Sequence, residues 1–303
     1  MRTRSLGNDG PEVSVVGLGT NNFGPRIDYE QSLAVVDAAL DAGITIFDTA
    51  DIYGQGTSET FIGRALEGRR DRVLVATKFG KPMDERPEER RGTRDYVHAA
   101  CDASLRRLRT DVIDVYQMHE PDEGTPIEET LGALDELIDA GKVRYIGSSN
   151  YSAGQIEDAD RVARECGLTR FVSAQNHYSL VERDVEDDVL PACARLGIGV
   201  LPYFPLASGL LTGKYTRGET ATEGRLAGRE IPDARWDRLA ALQELAAARG
   251  IPLLSLAIGG LATMPAVASV IAGATKPDQV RANVEAGAWE PTSEDIEALE
   301  ALR

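Results

Sequence analysis

The sequence predicts an α/β barrel of eight strand and helix units, and three observations carry that expectation. Short apolar runs rich in β-branched residues alternate with amphipathic helical patterns along nearly the whole chain. The ends of six such runs fall at Asp48, Lys78, His119, Ser148, Gln175 and Tyr203, separated by 30, 41, 29, 27 and 28 residues, and each gap holds one helix with its two loops. The length of 303 residues suits one barrel, a fold that typically takes ~250 and accepts insertions. No change in composition marks a boundary, so residues 1–303 are expected to form one (β/α)8 TIM-barrel domain.

Residues 1–16 read as a hairpin: Arg2 to Leu6, a Gly7-Asn8-Asp9-Gly10 turn, then Glu12 to Val16. Lying ahead of the repeats, it is expected to plug the barrel's amino-terminal face. Val15 to Thr20 is the first barrel strand, and Asp28 opens a helix with Leu33, Val36 and Leu40 on one face before Gly43 ends it. Gly17-Leu18-Gly19 resembles the start of a dinucleotide-binding GxGxxG, but Asn22 stands where the third glycine belongs, so that motif is discounted.

The second strand ends in Asp48 and leads into a Gly-flanked loop with Tyr53; Val73 to Thr77 ends in Lys78, and Asp114 to Met118 ends in His119. Thr125-Pro126-Ile127-Glu128 reads as a capping box with proline at the first helical position, and Ser152 with Gln155 repeats the box. Two long polar connections break the rhythm, Phe79 to Gly92 and Ala207 to Arg235. The second follows strand seven and is expected to be a flap over a ligand. The last unit reads as helices from about Trp236 to Arg249 and Leu253 to Gly260, a strand Val267 to Ala272, and a Gly273 to Gln279 turn that is either an anion site, given its small residues and Lys276, or an ordinary Gly-containing βα turn.

With 33 Lys+Arg against 49 Asp+Glu, the net charge of −16 opposes binding to nucleic acid or an anionic membrane. Cys101, Cys166 and Cys193 show neither CxxC nor metal-type spacing and read as reduced structural thiols of a cytosolic protein. No apolar run reaches the ~18 residues of a membrane span, and Met1-Arg2-Thr3-Arg4 is followed by no apolar run, so no secretion signal is expected. The Asn150-Tyr151-Ser152 sequon therefore carries no weight.

Side chains at the carboxyl ends of barrel strands converge on one mouth, so Asp48, Tyr53, Lys78 and His119 form a set. Singly, each has a plainer reading as a helix cap, a packing ring, a solvated ammonium or a core histidine. Together on consecutive strand ends they suit a reaction that builds negative charge on an oxygen and then protonates it. Lys78 is expected to lower the Tyr53 phenol pKa, Asp48 to keep the ammonium charged and oriented, and His119 to hydrogen-bond a ligand oxygen. No side chain can transfer two electrons, so carbonyl reduction would need a cofactor.

Asp48-Thr49-Ala50-Asp51-Ile52-Tyr53-Gly54, Ala76-Thr77-Lys78, Gln117-Met118-His119, Ile146 to Asn150 and Tyr203 to Lys214 resemble the aldo-keto reductases, and the likeness runs from the hairpin to the last helix. The resemblance implies a (β/α)8 barrel that reduces an aldehyde or ketone with an extended nicotinamide cofactor and no Rossmann fold. By position it assigns Asp48, Tyr53, Lys78 and His119 as the tetrad, with Tyr53 the proton donor. Ser149, Asn150 and Gln175 would hold the carboxamide, Tyr203 would stack on the nicotinamide, and Leu206, Ser208 and Lys214 would meet the pyrophosphate. Thr275, Lys276, Gln279 and Asn283 would take the adenosine end, with Gly19, Thr20, Asp48 and Gly273 also along the cofactor. Phe23, Tyr53, Phe79, His119 and Glu120 would surround the substrate.

Departures shape the expectation. Gln279 and Ala282 stand where many members carry Arg and Glu, so the lean to NADP (as NADPH) over NAD rests on Lys276. Phe204 replaces a common Ser, and with only Trp236 and Trp289 in the chain no tryptophan follows His119. A polar or sugar-like carbonyl compound is therefore the expected small-molecule partner, with no resident metal and a monomer or weak homo-oligomer. Two other functions compete: an NADP-binding redox sensor like the related channel β-subunits, and an isomerase or hydrolase with a metal on Asp48, His119 and His177.

Overall fold

The computed structural model describes residues 1–83, 90–218 and 224–303. Asp84 to Pro87 of the first long connection, and residues 219–223 of the second, lie outside the described residues.

The chain opens with β1 (Thr3–Ser5) and β2 (Glu12–Ser14), an antiparallel pair in which Arg4 faces Val13. Then come β3 (Val16–Gly19), α1 (Tyr29–Asp41), β4 (Ile46–Asp48), α2 (Thr57–Ala65), β5 (Leu74–Phe79) and α3 (Arg94–Leu108). The middle units are β6 (Ile113–Met118), α4 (Ile127–Asp139), β7 (Val143–Ser149), α5 (Ala153–Cys166), β8 (Ser173–Gln175) and α6 (Val189–Leu196). The chain finishes with β9 (Gly199–Val200), α7 (Asp233–Ala248), α8 (Leu253–Ala262), β10 (Val270–Gly273), α9 (Pro277–Ala286) and α10 (Ser293–Ala301).

Eight parallel strands run in the order β10, β3, β4, β5, β6, β7, β8, β9, each followed by a helix, which is the (β/α)8 fold. Between β9 and β10 the circuit is joined by the parallel bridge Val200↔Val267 and by hydrogen bonds from Val200 N to Ala266 O at 2.7 Å and Ala268 N to Val200 O at 2.9 Å. Leu6 and Val13 of the hairpin share a buried cluster with Ile46, Ala76, Val115, Val172, Leu201, Ala268 and Ile271. The hairpin turn reaches the start of β9, where Asn8 N donates to Gly197 O at 2.8 Å and a Cβ on Gly199 would lie 2.6 Å from Gly7 N. Only glycine fits there, and Pro202, with no N–H to donate, follows two residues after the strand. Strand seven therefore ends at Val200 and not at Tyr203, although His177↔Tyr203 prolongs the pairing as a lone bridge.

The capping box read at Ser152 with Gln155 closes, and boxes also form at Asp28 with Gln31 and at Thr292 with Asp295. The box expected at Thr125 does not form, because α4 starts one residue later behind Pro126 and the Thr125 hydroxyl donates to Asp122 Oδ2 at 2.8 Å. Helix α7 starts before Trp236, at Asp233 behind Pro232, and the last strand starts at Val270.

Candidate active site

Strand β4 runs out at Asp48 and β5 carries Lys78 one place before its end, and the two side chains meet because the strands pair in parallel with Asp48 opposite Ala76. Lys78 Nζ donates to Asp48 Oδ2 and to Thr49 O, both at 2.8 Å, and its side chain is wholly buried. Burial pulls the ammonium pKa down, but the Asp48 charge and the hydrogen bonds to Asp48 and Tyr53 outweigh it, so Lys78 stays firmly protonated. The other oxygen of Asp48 accepts from Gln175 Nε2 at 2.8 Å, a role for Gln175 not expected from the sequence.

Tyr53 stands on the turn after β4, with Lys78 Nζ 5.1 Å from its ring centroid. The expected fall in the phenol pKa is not what the surroundings produce. Burial raises it, and the Lys78 charge and hydrogen bond only oppose that rise. The phenol therefore holds its proton at neutral pH and can give it away. His119 meets Tyr53 edge to face with ring centroids 6.0 Å apart, and burial, helped by Lys78 and Lys81, pushes its pKa down to about 2. It is a neutral imidazole whose buried Nδ1 has no protein partner among the described residues.

These groups open into a cavity of about 600 Å³ at the carboxyl ends of the strands. Of the expected cofactor residues, Gly19, Thr20, Asp48, Ser149, Asn150, Gln175, Tyr203, Leu206, Ser208, Lys214, Gly273, Thr275, Gln279 and Asn283 line it. Lys276 does not; it is exposed at the N-cap of α9, beside Thr275. The Tyr203 hydroxyl donates to Asn150 Oδ1 at 2.8 Å, Asn150 Nδ2 donates to His119 O at 2.8 Å, and His177 stacks on the Tyr203 ring at 5.3 Å and 12°. Phe204, Ala207 and Ser208 all take positive φ, at 52°, 47° and 60°, a crowding of strained non-glycine residues typical of a ligand clamp.

Of the residues expected around the substrate, Tyr53 and His119 line the cavity while Phe23, Phe79 and Glu120 do not. Neighbours in a strand point to opposite faces, so with Lys78 turned inward Phe79 stacks on Tyr116 at 4.6 Å outside the mouth. Phe23 is fully buried under the loop after β3, and Glu120 faces Lys81 and Arg91 at 3.6 and 3.9 Å. Asn21, Asn22, Arg26, Lys81, Phe204 and Arg225 line the cavity without having been singled out as its lining. Arg225, from the long connection after β9, donates to Asn22 Oδ1 at 2.8 Å and to Asn21, and lies 5.0 Å over the Phe204 ring. Among the described residues no three His, Cys, Asp or Glu side chains gather as a metal site, so Asp48, His119 and His177 do not converge.

Residues 15–303 match the Aldo/keto reductase family. A probable voltage-gated potassium channel subunit beta of Oryza sativa subsp. japonica is 35% identical over 317 residues, spanning 100% of this chain and 96% of the relative. A protein of the same description from Arabidopsis thaliana is 35% identical over 301 residues, spanning 94% of this chain and 91% of the relative. The holo form of aldo-keto reductase AKR11C1 from Bacillus halodurans superposes with a TM-score of 0.85 at 34% identity, covering 100% of this chain and 96% of that one. The chain belongs to the aldo/keto reductase family.

Proposed function

We propose that this protein reduces the carbonyl group of a polar aldehyde or ketone with NAD(P)H, reversibly, and that Tyr53 supplies the proton. The observation that carries the proposal is the Lys78 ammonium, buried and bound to Asp48 beneath a protonated phenol that opens on the cavity. Isolating a charge from water is costly, so a buried ion pair beneath a protonated phenol at the mouth of a cavity favours a site that moves a proton over one that only binds.

The lining fits a nicotinamide dinucleotide. Its cations Lys214 and Arg225 suit phosphates, and the flat Tyr203 ring, pinned by Asn150 and His177, suits a planar heterocycle. Ser149 and Asn150 offer the polar edge for an amide. Lys276, exposed at the N-cap of α9 beside the cavity residue Thr275, supports a preference for NADPH over NADH. When bound, the cofactor supplies the hydride that no side chain can provide.

The rest is done by the chain. A carbonyl oxygen in the mouth accepts hydrogen bonds from the Tyr53 hydroxyl and from the neutral His119, so negative charge growing on it is met by preorganised donors. Tyr53 then gives its proton to that oxygen, and the Lys78 charge stabilises the phenolate left behind, lowering a barrier that burial would otherwise raise. Asp48, held by Lys78 and Gln175, keeps the ammonium in place. The connection after β9, tied to Asn21 and Asn22 by Arg225, covers the cavity as a flap.

The test is a fluorescence titration with NADPH and NADH, followed by absorbance decay against a panel of carbonyl compounds. Saturable binding with turnover of at least one compound supports the proposal, and tight binding with no turnover opposes it. The names of the two plant relatives favour a second reading, a cofactor-binding regulatory subunit with little turnover. Oxidation of one bound NADPH per protein by added carbonyl, too slow to repeat, would select it.

A further inference from the structure

An acidic chain repels anions, and this one carries −16, yet the wall of its cavity is the reverse. Among the described residues Arg26, Lys81, Lys214 and Arg225 line it against one carboxylate, Asp48, which Lys78 already neutralises. Lys214 and Arg225 belong to the flap assigned above to the cofactor phosphates. Arg26 and Lys81 come from other loops, after β3 and after β5, beside the two groups that would touch a carbonyl oxygen. The Arg26 loop is pressed against the Tyr53 loop, since a Cβ on Gly54 would lie 3.1 Å from Pro25 Cδ. Lys81 is close enough to His119 to help hold the imidazole neutral, after burial and Lys78.

Among the described residues the Arg26 guanidinium, which is exposed, has no hydrogen bond or ion pair, and Lys81 has one ion-pair partner within 4 Å, Glu120 at 3.6 Å, longer than a close hydrogen-bonded pair. Arg26 also repels Arg225, which adds to the effect of burial in depressing that guanidinium. Cations gathered in a cavity partly screened from water raise each other's energy, and an anion placed among them removes that cost.

We propose that the substrate is itself an anion: an aldehyde or ketone bearing a carboxylate or phosphate, which Arg26 and Lys81 hold while Tyr53 and His119 hold the carbonyl oxygen. This rests on the reductase reading and narrows its substrate class. A neutral sugar leaves the Arg26 guanidinium without a counter-charge among the described residues and Lys81 with only its 3.6 Å pair to Glu120, and the lining offers an apolar aldehyde no tryptophan.

The experiment compares matched pairs, 4-oxobutanoate with butanal and glyceraldehyde 3-phosphate with glyceraldehyde, at low and high salt. In parallel, protein saturated with NADP+ is titrated calorimetrically with butanoate and with butanamide. At least one anionic member should exceed its neutral partner in kcat/KM by about ten-fold or more, with the excess shrinking in salt; the pair that shows it separates carboxylate from phosphate. Arg26→Gln and Lys81→Gln should each raise KM for the anion with kcat nearly kept, and Arg26→Lys should restore part of the loss. Equal kcat/KM within both pairs overturns the proposal while leaving the reductase standing, and so does an anion preference that survives both Gln variants. If no carbonyl compound is reduced, the reductase reading fails and calorimetry decides the anion site. Butanoate binding that is lost in Arg26→Gln supports the site, and absence of butanoate binding overturns it.

Discussion

Lys78 and Asp48 form an ion pair 2.8 Å long with side-chain exposures of 0% and 4%, and Gln175 occupies the carboxylate oxygen that Lys78 leaves free. Removing one member leaves the other charged and without its counter-ion in a dry setting, a loss of about 3–5 kcal/mol. Lys78→Met should therefore unfold at distinctly lower denaturant than the parent. The double variant Asp48→Asn, Lys78→Met should recover part of that loss, and neither should turn over. Urea unfolding of the three proteins checks this, and equal midpoints for the single and double variants would contradict it.

Asp51, three residues beyond Asp48, is buried so that its pKa is raised to about 7, with the Glu59 charge adding to the effect. A carboxyl that binds its proton more tightly when folded contributes stability at low pH and loses it as pH rises through about 7. Asp51→Asn removes this titration, and its side-chain oxygen can still accept from Ile52 N, a bond of 2.6 Å in the parent. The stability of the variant relative to the parent should climb from about pH 4 to pH 8. A pH-independent difference in unfolding free energy would refute the assignment.

Arg225 ties the connection after β9 to the loop after β3, through Asn21 and Asn22. Hydrogen bonds from a charged donor are worth about 1.5–3 kcal/mol, so Arg225→Ala should weaken NADPH binding by about ten-fold or more, chiefly through faster release. Stopped-flow displacement of NADPH measures it. An unchanged release rate would mean that the connection does not act as a flap.

The barrel was legible in the sequence because its strand ends recur at the spacing of a strand and helix repeat, and the quartet because Asp48, Lys78 and His119 fall on or beside those ends, with Tyr53 on the turn that follows Asp48. What stayed hidden depends on direction and environment. Phe79 and Glu120 are sequence neighbours of Lys78 and His119, but the pleat and the loop turn them away from the mouth. The bond from Gln175 to Asp48 joins residues 127 apart, and Arg225 reaches the mouth across 203 residues to Asn22, so no local pattern announces either. The direction of the Tyr53 pKa is hidden because Lys78 is visible in a sequence as a nearby charge while the burial that outweighs it is not. Thr125 met a rival partner in Asp122, which a capping pattern does not weigh.

The claim on which the account depends is that the Tyr53 hydroxyl gives its proton to the carbonyl oxygen. The direct measurement is turnover by Tyr53→Phe, followed as NADPH absorbance with a carbonyl compound the parent reduces, beside a fluorescence titration of NADPH on both proteins. The account predicts a rate lower by about 10²–10⁴-fold with cofactor affinity unchanged, the cost of losing a general acid alone. A Tyr53→Phe protein that reduces the compound at the parent's rate would contradict it, and loss of cofactor binding along with turnover would make Tyr53 a structural residue instead.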